Sequence, residues 1–161
     1  MIIRQAMMTD LDGITEVERV CFPPLEAAPR KSFEKRLEAF IDSFLVAEDN
    51  GEVIAFINGC VTNDRVICDD MFKNTSHHDP DGDYQAVFGF AVMPGYRGIG
   101  VAQKLMEALI ELTRQRGKKG LILTCKEHLI DYYGTYGYEQ LGVSASSHGG
   151  AVWYDMIIEL S

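Results

Sequence analysis

The sequence has no apolar run long enough to span a membrane. Its first residues lack the basic, apolar, small-residue order of a secretory signal, so the expectation is a cytoplasmic protein. Its four cysteines, Cys21, Cys60, Cys68 and Cys125, form no C-x-x-C pair. They read as free thiols in a reducing compartment rather than as a disulfide framework. Basic residues are scarce, 15 Lys and Arg against 24 Asp and Glu, for a net charge of −9. That argues against a nucleic-acid partner, which needs clustered cations. It suits steering of small cationic substrates, or simply solubility. Internal repeats and low-complexity tracts are absent, and an apolar share of 47% is ordinary for a globular chain. The expectation is one domain over residues 1–161 with one sizeable core.

What is present centres on Val87–Arg116. A dominantly apolar strand runs to Val92 and meets the turn pair Pro94-Gly95. Arg97-Gly98-Ile99-Gly100-Val101-Ala102 follows and opens a helix. Free N–H groups and the positive end of the helix dipole at that start suit a pyrophosphate. Gly98 and Gly100 let the backbone approach a ligand with no Cβ in the way. Val101, Leu105, Leu109 and Leu112 recur at helical spacing, with Gln103, Glu107, Glu111 and Arg114 opposite. Gly117 is a ready C-cap. Leu121-Ile122-Leu123 then reads as a strand buried on both faces. Strand, helix and strand imply a right-handed crossover between parallel strands. The glycines have neither the position and spacing of a dinucleotide fingerprint nor the Gly-Lys-Ser/Thr of a P-loop.

The rest of the chain falls around this unit. Met1–Arg4 reads as an edge strand. Thr9 or Asp10 caps a helix to about Val20, with Leu11, Ile14, Val17 and Val20 on one side. Three prolines over 21–29 forbid a regular element there. Pro29 or Ser32 starts a second helix to about Ser43. Phe44–Glu48 and Glu52–Val61 read as a hairpin across Asp49-Asn50-Gly51. Thr62–Asp83 is irregular. His77-His78 lies beside Asp79, Asp81 and Asp83, but adjacent histidines project poorly onto one ion, and no metal is assigned. Lys126–Tyr136 reads as a short helix ended by Gly137. Tyr138–Leu141 and Val152–Glu159 read as closing strands, and Ser144–Gly150 as a loop carrying His148.

The hexamer Arg97–Ala102 resembles the coenzyme A motif of the Gcn5-related N-acetyltransferases (GNAT), Q/R-x-x-G-x-G/A, with Arg97, Gly100 and Ala102 at its fixed positions. Tyr132-Tyr133-Gly134-Thr135-Tyr136-Gly137-Tyr138 resembles an aromatic segment of the same superfamily. Phe22-Pro23-Pro24-x-Glu26-Ala27 resembles a loop of its arylalkylamine branch. Animal members of that branch carry a histidine pair where this chain has Ala86 and Phe88. Their proton path therefore does not transfer, and the chain looks more like a bacterial relative.

The resemblance implies an α/β (α+β) GNAT fold. Its sheet is mixed but mostly antiparallel, of about seven strands with a splayed parallel pair, flanked by about four helices. It implies acetyl-coenzyme A as co-substrate and a small primary amine as acceptor, an arylalkylamine among the options. Cofactor contacts would come from the backbone of Phe90, Ala91 and Val92 and from Arg97, Gly98, Ile99, Gly100, Val101 and Ala102. Tyr133 would be the general acid for the leaving thiolate. Glu26, in an apolar loop, would be the base or a surface partner of the ammonium. Phe22, Pro23, Glu26, Phe88 and His148 are the acceptor-lining candidates. Cys125 reads as core. The expected partners include neither nucleic acid nor membrane, and a homodimer is admitted. Two rival readings stand beside this one. One is acetylation of a polyamine, an aminoglycoside or a peptide N-terminus. The other is a coenzyme A-binding sensor without turnover.

Overall fold

Helices α1 (Leu11–Cys21) and α2 (Arg30–Phe40) exist because each has an apolar stripe at helical spacing and a sheet face to cover. A computed structural model describes residues 1–160 and resolves them into two compact units. The first takes Met1–Gly59 and Phe88–Leu109; the second takes Cys60–Val87 and the chain from Ile110 onward.

In the first unit, β1 (Ile2–Gln5), β2 (Phe44–Asp49), β3 (Glu52–Asn58) and β6 (Gly89–Val92) form an antiparallel sheet in the order β1-β2-β3-β6. Register places Val46 opposite Phe56, and Phe56 opposite Ala91, so the three share a face. Ile14 and Val17 of α1 and Phe33 and Leu37 of α2 close over that face. Phe33 meets Phe56 edge-on with ring centroids 5.4 Å apart. Each fully buried side chain of this size contributes about 1.5–3 kcal/mol. The β2–β3 turn falls on Asn50 and Gly51, both at positive φ, as the sequence predicts.

Asp10 occupies the position before α1, but its carboxylate does not cap forward. It accepts the Met7 N–H at 2.7 Å and a two-pronged Arg4 guanidinium at 2.8 and 2.9 Å. Arg4 also reaches Glu48 at 2.9 Å, tying β1 and β2 to the entry of α1. The bond from Arg4 holds the Asp10 pKa below its ordinary value. The carboxylate therefore adds stability at every pH above the unfolded value of about 3.9. That stability drains away as pH falls through the lower folded value. Asp10→Asn is expected to cost about 1–3 kcal/mol at neutral pH in a urea titration. The deficit should shrink towards pH 3; a deficit independent of pH contradicts the assignment.

In the second unit, β4 (Val61–Thr62), β5 (Tyr84–Val87), β7 (Gly120–Cys125), β9 (Tyr154–Glu159) and β8 (Glu139–Val143) lie in the order β4-β5-β7-β9-β8. Among the described residues β5 with β7 is the one parallel pair. The mixed, mostly antiparallel layout matches the expectation. Helices α3 (Asp70–Lys73) and α5 (Ile130–Gly134) are short, and α4 (Val101–Gln115) gives residues to both units. The Gly117 C-cap forms as predicted, with Lys118 N–H bonded to the Thr113 carbonyl at 3.2 Å.

Several boundaries move. The strand expected over 52–61 ends at Asn58, and Val61 belongs to the other sheet. The strand leading to Val92 likewise divides at Phe88. Phe88 N–H bonds the Asn58 carbonyl at 2.7 Å, whereas Ala86 N–H bonds that of Cys60 at 2.8 Å. Both strands therefore change sheets over the same few residues. The second helix starts at Arg30 and gives way to a tighter turn over Ile41–Ser43. Val20, expected on the apolar side of α1, is exposed. The last strand begins at Tyr154 rather than Val152. No helix among the described residues is long and apolar enough to cross a membrane.

Candidate active site

Strand β6 is the outer strand of its sheet, paired with β3 alone. The Met93 N–H bond to the Ile54 carbonyl of β3 fixes the alternation. The carbonyls of Phe90 and Val92 therefore turn towards the edge that β3 does not occupy. At that edge the Val92 carbonyl accepts Arg97 Nε at 2.9 Å and Cys21 Sγ at 3.3 Å. Ala91 is buried in the core cluster, so it offers backbone only.

After Val92 the chain turns over Pro94–Tyr96 and enters the glycine loop. Gly98 and Gly100 sit at φ +78° and +87°, a region that favours glycine. A Cβ built on either would meet nothing within 4 Å, so the space over the loop is open. Arg97, Gly98, Ile99 and Gly100 are exposed, while Val101 is buried and anchors the helix start. The first amide of α4 with a partner in this turn is Lys104, bonded to the Gly100 carbonyl at 3.0 Å. The amides before it belong to the helix end that lacks intrahelical acceptors. An exposed Arg, a glycine cradle and a helix start are a donor set that fits a pyrophosphate.

The proline loop is tied beside this edge through Cys21, the last residue of α1. Burial raises the Cys21 pKa, against a smaller lowering from Arg97, so its thiol stays protonated. Glu26 and Ala27 N–H both bond the Pro23 carbonyl at 2.9 Å, folding Phe22, Pro23 and Glu26 into one tight turn. Buried Glu18 clasps the loop from inside, its Oε2 accepting Ala28 N–H at 2.8 Å. Pro23 is exposed; Phe22 and Glu26 are half-buried. Phe88 rests on Phe40, with centroids 6.2 Å apart, and on the Arg36 guanidinium at 5.3 Å. It is thus packed in the first unit and half-buried.

Tyr133 lies in the second unit, on α5. Its ring meets Tyr132 at 5.1 Å and Tyr138 at 5.9 Å. Burial, reinforced by Tyr132 and Cys125, pushes its phenol well above the usual tyrosine value. The Tyr132 and Tyr136 hydroxyls bond each other at 2.6 Å. Burial raises the Cys125 pKa to about 11, which suits a core thiol and not a nucleophile. His148 stacks on Phe72 at 5.4 Å and lies 6.1 Å from the Trp153 ring, whose indole N–H bonds the His148 carbonyl. This side chain is part of a small aromatic cluster.

The histidines of the irregular stretch are also occupied within the fold. His78 Nδ1 accepts Val61 N–H at 3.0 Å, and His77 pairs with Asp70 at 2.6 Å. Among the described residues, no three metal-ligating side chains gather. Glu18 and Arg36, which hold the loop and Phe88, were not legible as buried. Each stands at a helix position that reads as a solvated face.

Residues 11–138 match the family model described as acetyltransferase (GNAT) family. A protein named probable hydrolase YhcX, from Bacillus subtilis strain 168, is 30% identical over 132 residues, covering 76% of this chain and 25% of that protein. An N-alpha-acetyltransferase of Sulfurisphaera tokodaii is 27% identical over 113 residues, 70% of this chain and 62% of that protein. The chain therefore spans less than two thirds of the length of these relatives. Among solved structures, a GNAT-like decarboxylase, GphF, in complex with isobutyryl-CoA superposes with a TM-score of 0.82 at 17% identity, covering 100% of both chains. The ribosomal-protein-S18-alanine N-acetyltransferase of Escherichia coli superposes with a TM-score of 0.76 at 20% identity, covering 99% of this chain and 94% of that one. At these identities the likeness is one of fold.

Proposed function

The chain belongs to the acetyltransferase (GNAT) family, and from that premise we propose that it transfers the acetyl group of acetyl-coenzyme A directly to the nitrogen of a primary amine. The observation that carries the proposal is the loop 97–102, with two glycines at positive φ, open space above them and a helix start behind. Arg97 and the loop amides would hold the pyrophosphate. The outward edge of Phe90–Val92 would receive the pantetheine arm as an added strand.

Transfer needs a neutral nitrogen and a stabilised leaving thiolate. An alkylamine with a pKa of about 10.4 is mostly ammonium at neutral pH, whereas a peptide α-amine at about 7.7–8.0 is partly neutral. Glu26 is assigned the proton from the nitrogen. Tyr133 is assigned the sulfur. A thiolate with a conjugate pKa of about 8.5 does not deprotonate a phenol held above its usual value of about 10. Tyr133 therefore acts chiefly by a charge-assisted hydrogen bond that strengthens as the carbon–sulfur bond breaks. The N-alpha-acetyltransferase among the relatives favours a peptide N-terminus as acceptor over an arylalkylamine.

Gly100→Val tests the cofactor loop by calorimetry with coenzyme A. A Cβ there meets no protein atom, so the melting temperature should fall only by the few degrees that about 1–2 kcal/mol of backbone strain implies. Coenzyme A affinity should fall about tenfold or more, from the lost approach and altered amides. Unchanged affinity would remove the loop from the site. Amine-dependent thiol release separates this enzyme from a coenzyme A-binding sensor.

A further inference from the structure

Residues 97–100 of the glycine loop are exposed in succession, so the loop draws its position from the residues on either side. Behind it, Val101 is buried. In front of it, half-buried Tyr96 donates its phenolic O–H to Asp49 Oδ2 at 2.7 Å, a bond between residues 47 positions apart. Asp49 ends β2, beside the Asn50-Gly51 turn and opposite Glu52. Strand β3 stands between β2 and β6 in the sheet, so the phenol reaches past β3 to the strand beyond it. All of these residues belong to the first unit.

The chain leaves the sheet at Met93, whose N–H bonds the Ile54 carbonyl at 2.9 Å. Pro94 has no N–H with which to continue the ladder. One tight turn follows, closed by Tyr96 N–H on the Met93 carbonyl at 2.9 Å and by Arg97 N–H on the Pro94 carbonyl at 3.4 Å. The second bond is long, and Gly98 and Gly100 bring backbone freedom that such a turn does not remove. Arg97 Nε on the Val92 carbonyl returns to β6 itself. The Tyr96 phenol instead ties the turn to a different strand. Its acceptor is a carboxylate, and charge-assisted bonds are roughly twice as strong as neutral ones. The bond to Asp49, ahead of partial desolvation, raises the Tyr96 pKa above its ordinary value, so the phenol stays a donor at neutral pH. A loop fixed before its ligand arrives spares the ordering cost that binding would otherwise bear.

We propose that the Tyr96–Asp49 bond presets the glycine loop, making Tyr96 a positioning residue for the pyrophosphate of coenzyme A and not for the transfer step. The proposal rests on the cofactor reading above. Its test is Tyr96→Phe, which keeps the ring and removes one O–H. Coenzyme A affinity by calorimetry should fall about fivefold or more, the effect of one lost hydrogen bond. KM for acetyl-coenzyme A should rise to match, with kcat within about twofold of wild type, because only binding is lost. For acetylpantetheine, a donor without the pyrophosphate, kcat/KM should stay within about twofold. Equal losses of kcat/KM on the two donors, or unchanged coenzyme A affinity, overturn the assignment. Asp49→Ala should reproduce the loss of affinity, and Asp49→Asn, which keeps an acceptor oxygen, should recover most of it. Tyr96→Phe and Asp49→Ala combined should lose no more than either alone. Additive losses, or no recovery with asparagine, contradict the proposal. Wild-type protein that binds no coenzyme A overturns the cofactor reading itself. Wild-type protein that binds it without turnover overturns only the acetyltransferase reading, and the affinity series then decides the proposal.

Discussion

Tyr133→Phe is expected to lower kcat by about 10²–10³, as the loss of one donor to a developing anion does, with coenzyme A affinity unchanged. The ring sits among Tyr132, Tyr136 and Tyr138, with centroids 5.1, 6.5 and 5.9 Å away. Phenylalanine keeps those packing contacts and removes one oxygen. The hydroxyls of two neighbouring phenols are already engaged: Tyr132 and Tyr136 bond each other. Steady-state kinetics with a saturating amine, beside calorimetry with coenzyme A, reads both quantities. A kcat within about threefold of wild type removes Tyr133 from the chemistry. A matching loss of coenzyme A affinity would place it in binding instead.

Gly120→Ala is expected to produce the largest loss of stability. Glycine 120 opens β7 opposite Glu159. A Cβ built there lies 1.9 Å from the Ile158 carbonyl oxygen and 3.0 Å from its carbon. These are backbone atoms of the paired strand, so no side-chain rotation relieves the overlap. Ordinary overpacking costs about 1–3 kcal/mol; separating two paired strands should exceed it, on the order of 4 kcal/mol. For a chain of this length that is a drop of roughly 8–16 °C in melting temperature. Gly95→Ala is the control, since nothing lies within 4 Å of its built Cβ. Thermal melts by circular dichroism should separate the two variants clearly. Equal melts would mean that β7 and β9 are not registered as described.

Where the sequence was legible, each position carried its own chemistry. Asn50-Gly51 specifies a hairpin turn because two successive residues must take positive φ. The loop Arg97–Ala102 is legible for the same reason, since its glycines and its helix start have separate physical tasks. The change of sheet at Phe88 left no such mark. The residues from Tyr84 to Val92 are buried or half-buried throughout. An apolar run keeps its appearance when its hydrogen-bond partners change. Only the pairing of Phe88 with Asn58 and of Ala86 with Cys60 reveals the switch.

Buried polar residues were hidden for a related reason. Glu18 and Arg36 lie on helices whose other polar positions face outward. They are buried because the Ala28 amide needs an acceptor and because Phe33 and Phe88 sandwich a guanidinium. Both partners are distant in sequence.

The central claim is direct acetyl transfer, and one measurement tests it most directly. The protein would be mixed in excess with isotope-labelled acetyl-coenzyme A and a primary amine, and a single turnover followed by mass spectrometry. The account predicts that free coenzyme A thiol and labelled N-acetyl amine appear together in equal amounts, with no acetyl group left on the protein at any time. Label on Cys21 or another side chain before it reaches the amine would contradict direct transfer. Bound coenzyme A with no thiol release for any amine would contradict the enzyme and leave a sensor.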